Sequence, residues 1–313
     1  MKGPKKLRID ALRSDLASVD QMIDRSRVFR DAIGEYQFTK RREAIAAELE
    51  QLDVVHERTG RLALFFGGGP VLGSRGVEAD FAGEALHAFQ ELVQKKLAIE
   101  EQGEMAPRGP VANRAASQLL VTDVARGSFG FFLEEAAAGD ALTDTQLKVV
   151  LDQTSNLIAD IASPSSATFE AAIESVDPRT LLALRKFFDL LDTSQATIRV
   201  VDEDQEFSLQ RADVTRARHR VDATEISEDE TTGIAGVLFF LPQHKTFELI
   251  RDDNGETIYG KVEPNVIRQL IATVPTEGPS VGRHWRTVMK IRRVLRRGQE
   301  EKVYYKLSGL IEL

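Results

Sequence analysis

Cysteine is absent from this chain of 313 residues. Disulfides, thiolate metal sites and cysteine nucleophiles are therefore excluded at the outset. Long hydrophobic runs are missing too: the longest, around residues 237–242, falls far short of the roughly 20 apolar residues that cross a bilayer as a helix. The basic start Met1-Lys2-Gly3-Pro4-Lys5-Lys6 leads into Arg8, Asp10, Arg13 and Asp15 rather than an apolar core, so no secretory leader is expected. Together these absences predict a protein of the reducing cytoplasm with no membrane association.

Catalytic signatures are equally scarce. The five histidines, His56, His87, His219, His244 and His284, are scattered, and none forms an H-E-x-x-H or similar ligand spacing. His87 stands beside an apolar helical stripe and is expected to be a half-buried packing residue. Gly68 and Gly73 have the glycine spacing of a phosphate loop, but Ser74 occupies the lysine position and Arg75 the hydroxyl position. Glu78 and Asp80 near the next helix start would repel a phosphate. The segment with Gly67, Gly68, Gly73 and Arg75 therefore reads as a tight structural loop. Arg126-Gly127-Ser128-Phe129-Gly130 is not the nucleophile elbow, because its first glycine adjoins the serine. Acidic clusters at Asp202, Glu203, Asp204 and Glu206, and at Glu225, Glu228, Asp229 and Glu230, read as a solvated hairpin tip and a solvated linker. The sequence implies no catalytic residue, no metal ligand set and no cofactor.

What is present is an ordinary globular balance. Apolar residues make up 42% and charged residues 29%, which argues against disorder, and the length suits two or three domains. The net charge of −8 means that nucleic acid could be held only by a local basic patch. The fold class read from the pattern is α+β, in four segments.

Residues 1–55 form a helical hairpin, coiled-coil-like. Ile9, Leu12, Leu16, Val19 and Ile23 share one face, Gly34 is the expected break, and Ile45, Leu49 and Leu52 continue after Thr39. So small a hairpin is expected to pack on the rest of the chain or on a copy of itself, making homo-oligomers. Residues 56–162 read as a central α+β domain: a strand at 61–66, a helix with Phe81, Ala85, Phe89, Leu92 and Val93 inward, a loop over 102–115, strands at 118–124 and 129–134, and a helix over 144–161. Residues 163–222 read as a helical and β-hairpin extension of it, or as a domain of their own. Within them Asp177 is placed to cap a helix whose first residue is Pro178.

Residues 223–313 read as a small β-barrel. Strands at 233–241, 246–251 and 256–262, a short helix at 265–271, and strands at 283–296 and 301–311 follow the element order of an OB-type barrel, with an SH3-like barrel as the alternative. Asp253-Asn254-Gly255 is the expected hairpin turn. Arg283, Arg286, Lys290, Arg292, Arg293, Arg296, Arg297 and Lys302 make the chain's one basic concentration. Strand alternation turns Arg286, Lys290 and Arg292 outward, opposite Trp285, Thr287, Met289 and Ile291, and exposes Tyr259 and Lys261 on the third strand. Tyr259, Lys261, Arg286, Lys290, Arg292 and Arg296 are the candidate surface for a partner or for single-stranded nucleic acid.

The stretch Leu64-Phe65-Phe66-Gly67-Gly68-x-Pro70-Val71-x-Gly73-Ser74-Arg75-Gly76, then Phe81-Ala82 and Ala88-Phe89-Gln90, resembles a family of bacterial hypothetical proteins. The likeness covers most of the chain, including Arg126-Gly127-Ser128-Phe129. It implies a bacterial cytoplasmic origin and a modular fold, and brings no activity with it. By loose analogy, some bacterial proteins of this modular type serve antiviral defence. The leading expectation is a non-enzymatic interaction protein that self-associates through residues 1–55 and takes a protein partner on its barrel. The alternatives are nucleic-acid binding by the basic barrel face, and a hydrolase or nuclease whose site only the fold assembles.

Overall fold

The computed structural model describes residues 4–54, 58–102, 114–125, 129–136, 143–203, 205–268, 270 and 282–312. The turn expected at Arg126-Gly127-Ser128, His56, Asp204, most of the 102–115 loop and the end of the short helix at Ile271 lie outside them. The chain forms two compact units: Met1–Ile173 with Leu182–His219, and Glu174–Leu181 with Arg220–Leu313.

The first unit begins with α1 (Lys5–Val28) and α2 (Ala32–Val54), which pair as a hairpin. Val19, Ile23 and Ile45 are buried between them, with Leu12, Leu16, Phe38 and Leu49 packed alongside. The apolar stripe read from the sequence is thus consumed inside the hairpin. The break falls at Phe29–Asp31 rather than at Gly34. Arg30 turns the chain at φ +55°, and the Asp31 carboxylate accepts the Gly34 N–H at 2.9 Å as a cap for α2. Gly34 lies buried within α2, where a Cβ would meet Ser26 Oγ at 2.9 Å. The periodicity fades there because the apolar residues of 28–36 point outward, although the helix is intact.

A fully antiparallel five-stranded sheet follows, in the order β2-β3-β1-β4-β5. Its strands are β1 (Arg61–Gly68), β2 (Leu119–Ala125), β3 (Phe129–Glu135), β4 (Ala196–Val201) and β5 (Glu206–Leu209). Strands β4 and β5, from the 163–222 segment, therefore belong to the same sheet as β1. Leu62 to Phe66 are all buried, because β1 is central and covered on both faces. Helices α3 (Ala79–Gln102) and α4 (Gln146–Ala162) accompany the Leu62, Leu64 and Phe66 face, where Phe66 meets Phe81 edge-on at 5.3 Å. On the other face Ala63, Phe65, Phe132 and Val201 cluster, and Leu7 of α1 packs on them.

That anchoring corrects the reading of the acidic hairpin tip. Asp202 and Glu203 are buried, and Glu203 accepts the Lys5 backbone N–H at 2.7 Å, where a carboxylate favours the start of α1. Asp202 accepts the Gln205 N–H at 2.6 Å. His87 is another correction: it is exposed, turned away from the buried Phe89 stripe of α3.

Three further helices are α5 (Ser166–Glu174), α6 (Pro178–Thr193) and α7 (Arg211–Asp222). Asp177 caps α6 as its sequence predicts, accepting from the N–H groups of Arg179 at 2.8 Å and Thr180 at 3.2 Å. Asp192, near the end of α6, accepts hydrogen bonds from Thr215 Oγ1 and, at 2.8 Å, from Arg218 on α7. The Thr215 hydroxyl first, then Arg218, hold its carboxyl below the usual aspartate range. A carboxyl lowered in the folded state stabilises the fold above its unfolded value near pH 3.9, and that contribution is lost as pH falls through the folded midpoint. Thr215→Val is accordingly expected to raise the Asp192 midpoint and to cost about 1 kcal/mol at neutral pH. Urea midpoints of variant and parent should converge in acid; a gap that stays constant with pH rejects the linkage.

The second unit contains β6 (Thr224–Leu241), β7 (Thr246–Arg251), β8 (Thr257–Val262), β9 (Arg283–Arg296) and β10 (Lys302–Glu312), closed in the order β10-β8-β7-β6-β9. Numbered from β6, this is 1-2-3-5-4, with β8 and β10 as the single parallel pair and a short helical segment from Pro264 between the third and fourth strands. It is the strand order of an OB-type barrel, not of an SH3-like one. Leu238, Phe247, Leu249, Ile258, Trp285, Met289 and Leu307 fill the interior, and Asp253-Asn254-Gly255 makes the predicted turn, Gly255 at φ +71°.

Strand β6 starts nine residues earlier than its sequence suggests, counting from Thr224 instead of Gly233. Gly233, at φ +96°, is a bulge inside the strand, where the ladder with β9 shifts register between Thr232 and Ile234. The acidic residues taken for a linker, Glu225, Glu228, Asp229 and Glu230, are strand residues paired along β9. They are poor strand formers, but in this register they lie opposite or beside cations.

Candidate interaction surface of the barrel

Strand period fixes which side chains face outward. On β8, Ile258 and Val262 are buried, so Tyr259 and Lys261 stand out, Tyr259 at 63% exposure. On β9, Trp285, Thr287, Met289 and Ile291 are buried, which turns Arg286, Lys290 and Arg292 outward. On β10, Leu307 is buried and Tyr305 packs against the core, leaving Tyr304 and Lys306 on the outer face.

The fold joins these strands in a way the sequence does not announce. Strand β10 lies between β8 and β9. Lys306 is in register with Lys261 on one side and Lys290 on the other. Tyr304 is in register with Arg292, and Tyr259 immediately precedes Gly260, the partner of Tyr305. The outer face thus carries a lysine row, Lys261-Lys306-Lys290, beside an aromatic and guanidinium row, Tyr259-Tyr304-Arg292. Tyr304 and Lys306 were missed in the sequence reading. Their signal was there, because the alternation around buried Leu307 puts both on one side.

Two of the expected residues stand apart. Arg286 pairs in register with Ala235 and Ile311, beyond the bulge at Ser308. Arg296 faces Thr224 at the far end of β9. Ten residues of strand put about 33 Å between these two arginines. The single basic surface expected from the sequence is therefore a central patch with one arginine beyond each end.

The patch is electrically compensated. Lys290 and Lys306 both reach the Glu263 carboxylate, at 3.0 and 3.6 Å. Lys261 pairs with Glu174 at 3.3 Å. Arg292 donates to Glu228 at 2.6 Å and to the Glu174 carbonyl oxygen at 2.7 Å. Arg293 pairs with Asp229, the acid that the linker reading had left in solvent. Glu248 lies directly across from Tyr259 on β7. From Arg220 to Leu313 the sequence holds fourteen basic and fourteen acidic residues, so the basic strand sits in a neutral barrel. Among the described residues, no ion pair or hydrogen bond engages the Arg286 guanidinium, which is exposed.

The glycine loop of the first unit is built differently from a phosphate cradle. The Gly69 N–H donates to Gln195 O at 3.1 Å, Val71 to Gly68, Leu72 to Gly76, Arg75 to Leu72 and Glu78 to Pro70. Five backbone donors are thus already used. Gly67 and Gly68 run against β4, and a Cβ on Gly68, at φ +83°, would meet Gln195 O at 2.3 Å. Gly73 and Arg75 lie at the exposed tip.

Among the described residues, no group of three or more histidines, aspartates or glutamates gathers where a metal ion could be held. None of the described helices is long and apolar enough to cross a membrane. No family model, curated protein or solved structure matches this chain.

Proposed function

We propose that this is a non-enzymatic interaction protein whose barrel takes a protein partner on the face formed by β8, β10 and β9. The observation that carries the reading is the exposed Tyr259, set beside Tyr304 and Lys261 on a face where each lysine already has a carboxylate neighbour. Tyrosine offers large amphipathic contact area and is favoured where binding energy concentrates. Interleaved Lys, Arg and Glu suit a partner of mixed charge better than a polyanion, which would compete with Glu263, Glu228 and Glu174 for their cations.

The test uses a photo-crosslinking amino acid in place of Tyr259 in the full chain, irradiated in a native extract. A discrete protease-sensitive adduct, lost when Tyr304→Ser is added, is the expected result. The absence of any adduct removes this reading.

A second reading, single-stranded nucleic acid, draws on one specific feature. An OB-type barrel commonly binds such ligands across its second and third strands, and Tyr259 lies on the third. Arg286 adds an exposed cation without a carboxylate partner among the described residues. In that case the adduct is nuclease-sensitive, affinity falls steeply with salt, and Arg286→Glu weakens binding. Lys290→Glu and Arg292→Glu are poorer probes, because each also breaks an internal ion pair.

A further inference from the structure

The α1–α2 hairpin is anchored at one end and apolar at the other. Lys5 and Leu7 fasten the start of α1 to the sheet. The 24 residues of α1 carry its other end about 36 Å away. There Met22, Val28, Phe29, Ile33 and Tyr36 are 46%, 78%, 70%, 73% and 65% exposed. Among the other described side chains of the hairpin the large apolar ones are buried or half-buried, and the exposed positions are charged, polar or alanine. The tip also gains little from its own interior. Ile23, Ser26 and Gly34 are the buried residues there, two of them with almost no apolar surface to contribute.

We infer that this tip is a self-association surface that joins two copies of the chain end to end about a two-fold axis. The inference is independent of what the barrel binds. Its first ground is area. Five side chains of this size at these exposures offer roughly 600 Å² per copy, close to the ~800 Å² per partner of a standard interface. An apolar cluster of this size lies at the upper end of what a monomer exposes, and such patches commonly mark interaction sites.

Its second ground is charge. The chain carries −8, so most approaches of one copy to another are repulsive. Between Met22 and Tyr36 the sequence holds Arg25, Arg27 and Arg30 against Asp24, Asp31 and Glu35, a balance of zero. The acids are satisfied within the hairpin. Arg27 pairs with Glu35 at 2.7 Å and Asp24 at 3.5 Å, and Asp31 caps α2. Arg25 lies 5.8 Å over the Phe29 ring, its charge spread on the aromatic face. Two tips can therefore meet without net repulsion, through a symmetric contact in which each patch faces itself. The sequence placed self-association on residues 1–55 without choosing a face. The stripe is used within the hairpin, which leaves the tip for the second copy.

The test is the solution mass of the full chain by light scattering over a concentration series. The wild type is expected at the mass of two chains, dissociating on dilution. The variant Phe29→Ser/Ile33→Ser/Tyr36→Ser is expected at the mass of one, with circular dichroism and Trp285 emission unchanged. Because the chain has no cysteine, a single Gln37→Cys change gives a second readout that leaves the apolar residues intact. A short bismaleimide should link two copies through residue 37, one helical turn from Ile33, but not through Ser14→Cys, far from the tip. A wild type of one-chain mass at every concentration overturns the inference. So does a dimer that survives the triple change, or a one-chain species whose tip instead binds vesicles of phosphatidylglycerol.

Discussion

Gly260→Ala is expected to lower the stability of the barrel by about 3 kcal/mol and to open the face that carries Tyr259. A Cβ at this position would stand 2.1 Å from the Tyr305 carbonyl oxygen and 2.7 Å from a ring carbon of Phe247. Backbone on one side and a buried ring on the other leave the methyl group no room. The strain falls on the Gly260–Tyr305 register, part of the parallel β8–β10 pairing that closes the barrel. The measurement is simple because Trp285 is the chain's one tryptophan and is buried in the barrel. Its emission during urea unfolding reports the second unit alone. Gly76→Ala in the first unit, where a Cβ meets nothing within 4 Å, should leave that transition in place. An unshifted midpoint for Gly260→Ala would show that β8 and β10 do not approach so closely. Because the same pairing sets Tyr259 and Lys261 beside Tyr304 and Lys306, the variant should also lose the crosslinked adduct expected at position 259.

Glu135→Ala carries the second large expected effect, about 2–4 kcal/mol on the first unit. Glu135 is a buried carboxylate at the end of β3. Its Oε2 accepts the Gly60 N–H at 2.8 Å and the Thr145 hydroxyl at 2.6 Å. Thr145 in turn caps α4 by accepting the Lys148 N–H at 3.2 Å. One side chain therefore ties the approach to β1, the end of β3 and the start of α4. Alanine would leave two inward donors without their acceptor, and an unmade bond in such a place costs more than a made one contributes. Glu135→Gln keeps an acceptor oxygen and should lose about half as much. Urea unfolding followed by far-ultraviolet circular dichroism separates the two, with Trp285 emission reporting that the barrel is untouched. Equal stabilities for wild type and Glu135→Ala would mean that water satisfies both donors.

The elements themselves were legible in the sequence because their signals are local. The 3.6-residue stripe of Phe81, Ala85, Phe89 and Leu92, the alternation of Trp285, Thr287, Met289 and Ile291, and the Asp177-Pro178 start of α6 all appear where neighbouring residues place them. The misreadings have one origin. Gly34 was read as a break and Gly233 as a strand start, although one is a close-packing point and the other a bulge. Asp202 and Glu203 were read as solvated because acidic runs usually are, yet Glu203 accepts from the first residue of α1, 198 positions away in sequence. Glu228 and Asp229 looked like linker until β9 supplied Arg292 and Arg293 beside them.

By itself, then, the sequence determined that cysteine chemistry is excluded and in what order the helices and strands follow, since composition decides the first and short-range periodicity the second. The tertiary structure alone decided which cations meet which carboxylates, that β10 joins Tyr259 to Arg292, and that the apolar residues of the hairpin divide into a packed interior and an open tip. Those outcomes depend on register between segments remote in sequence, which side-chain period constrains only to one face or the other.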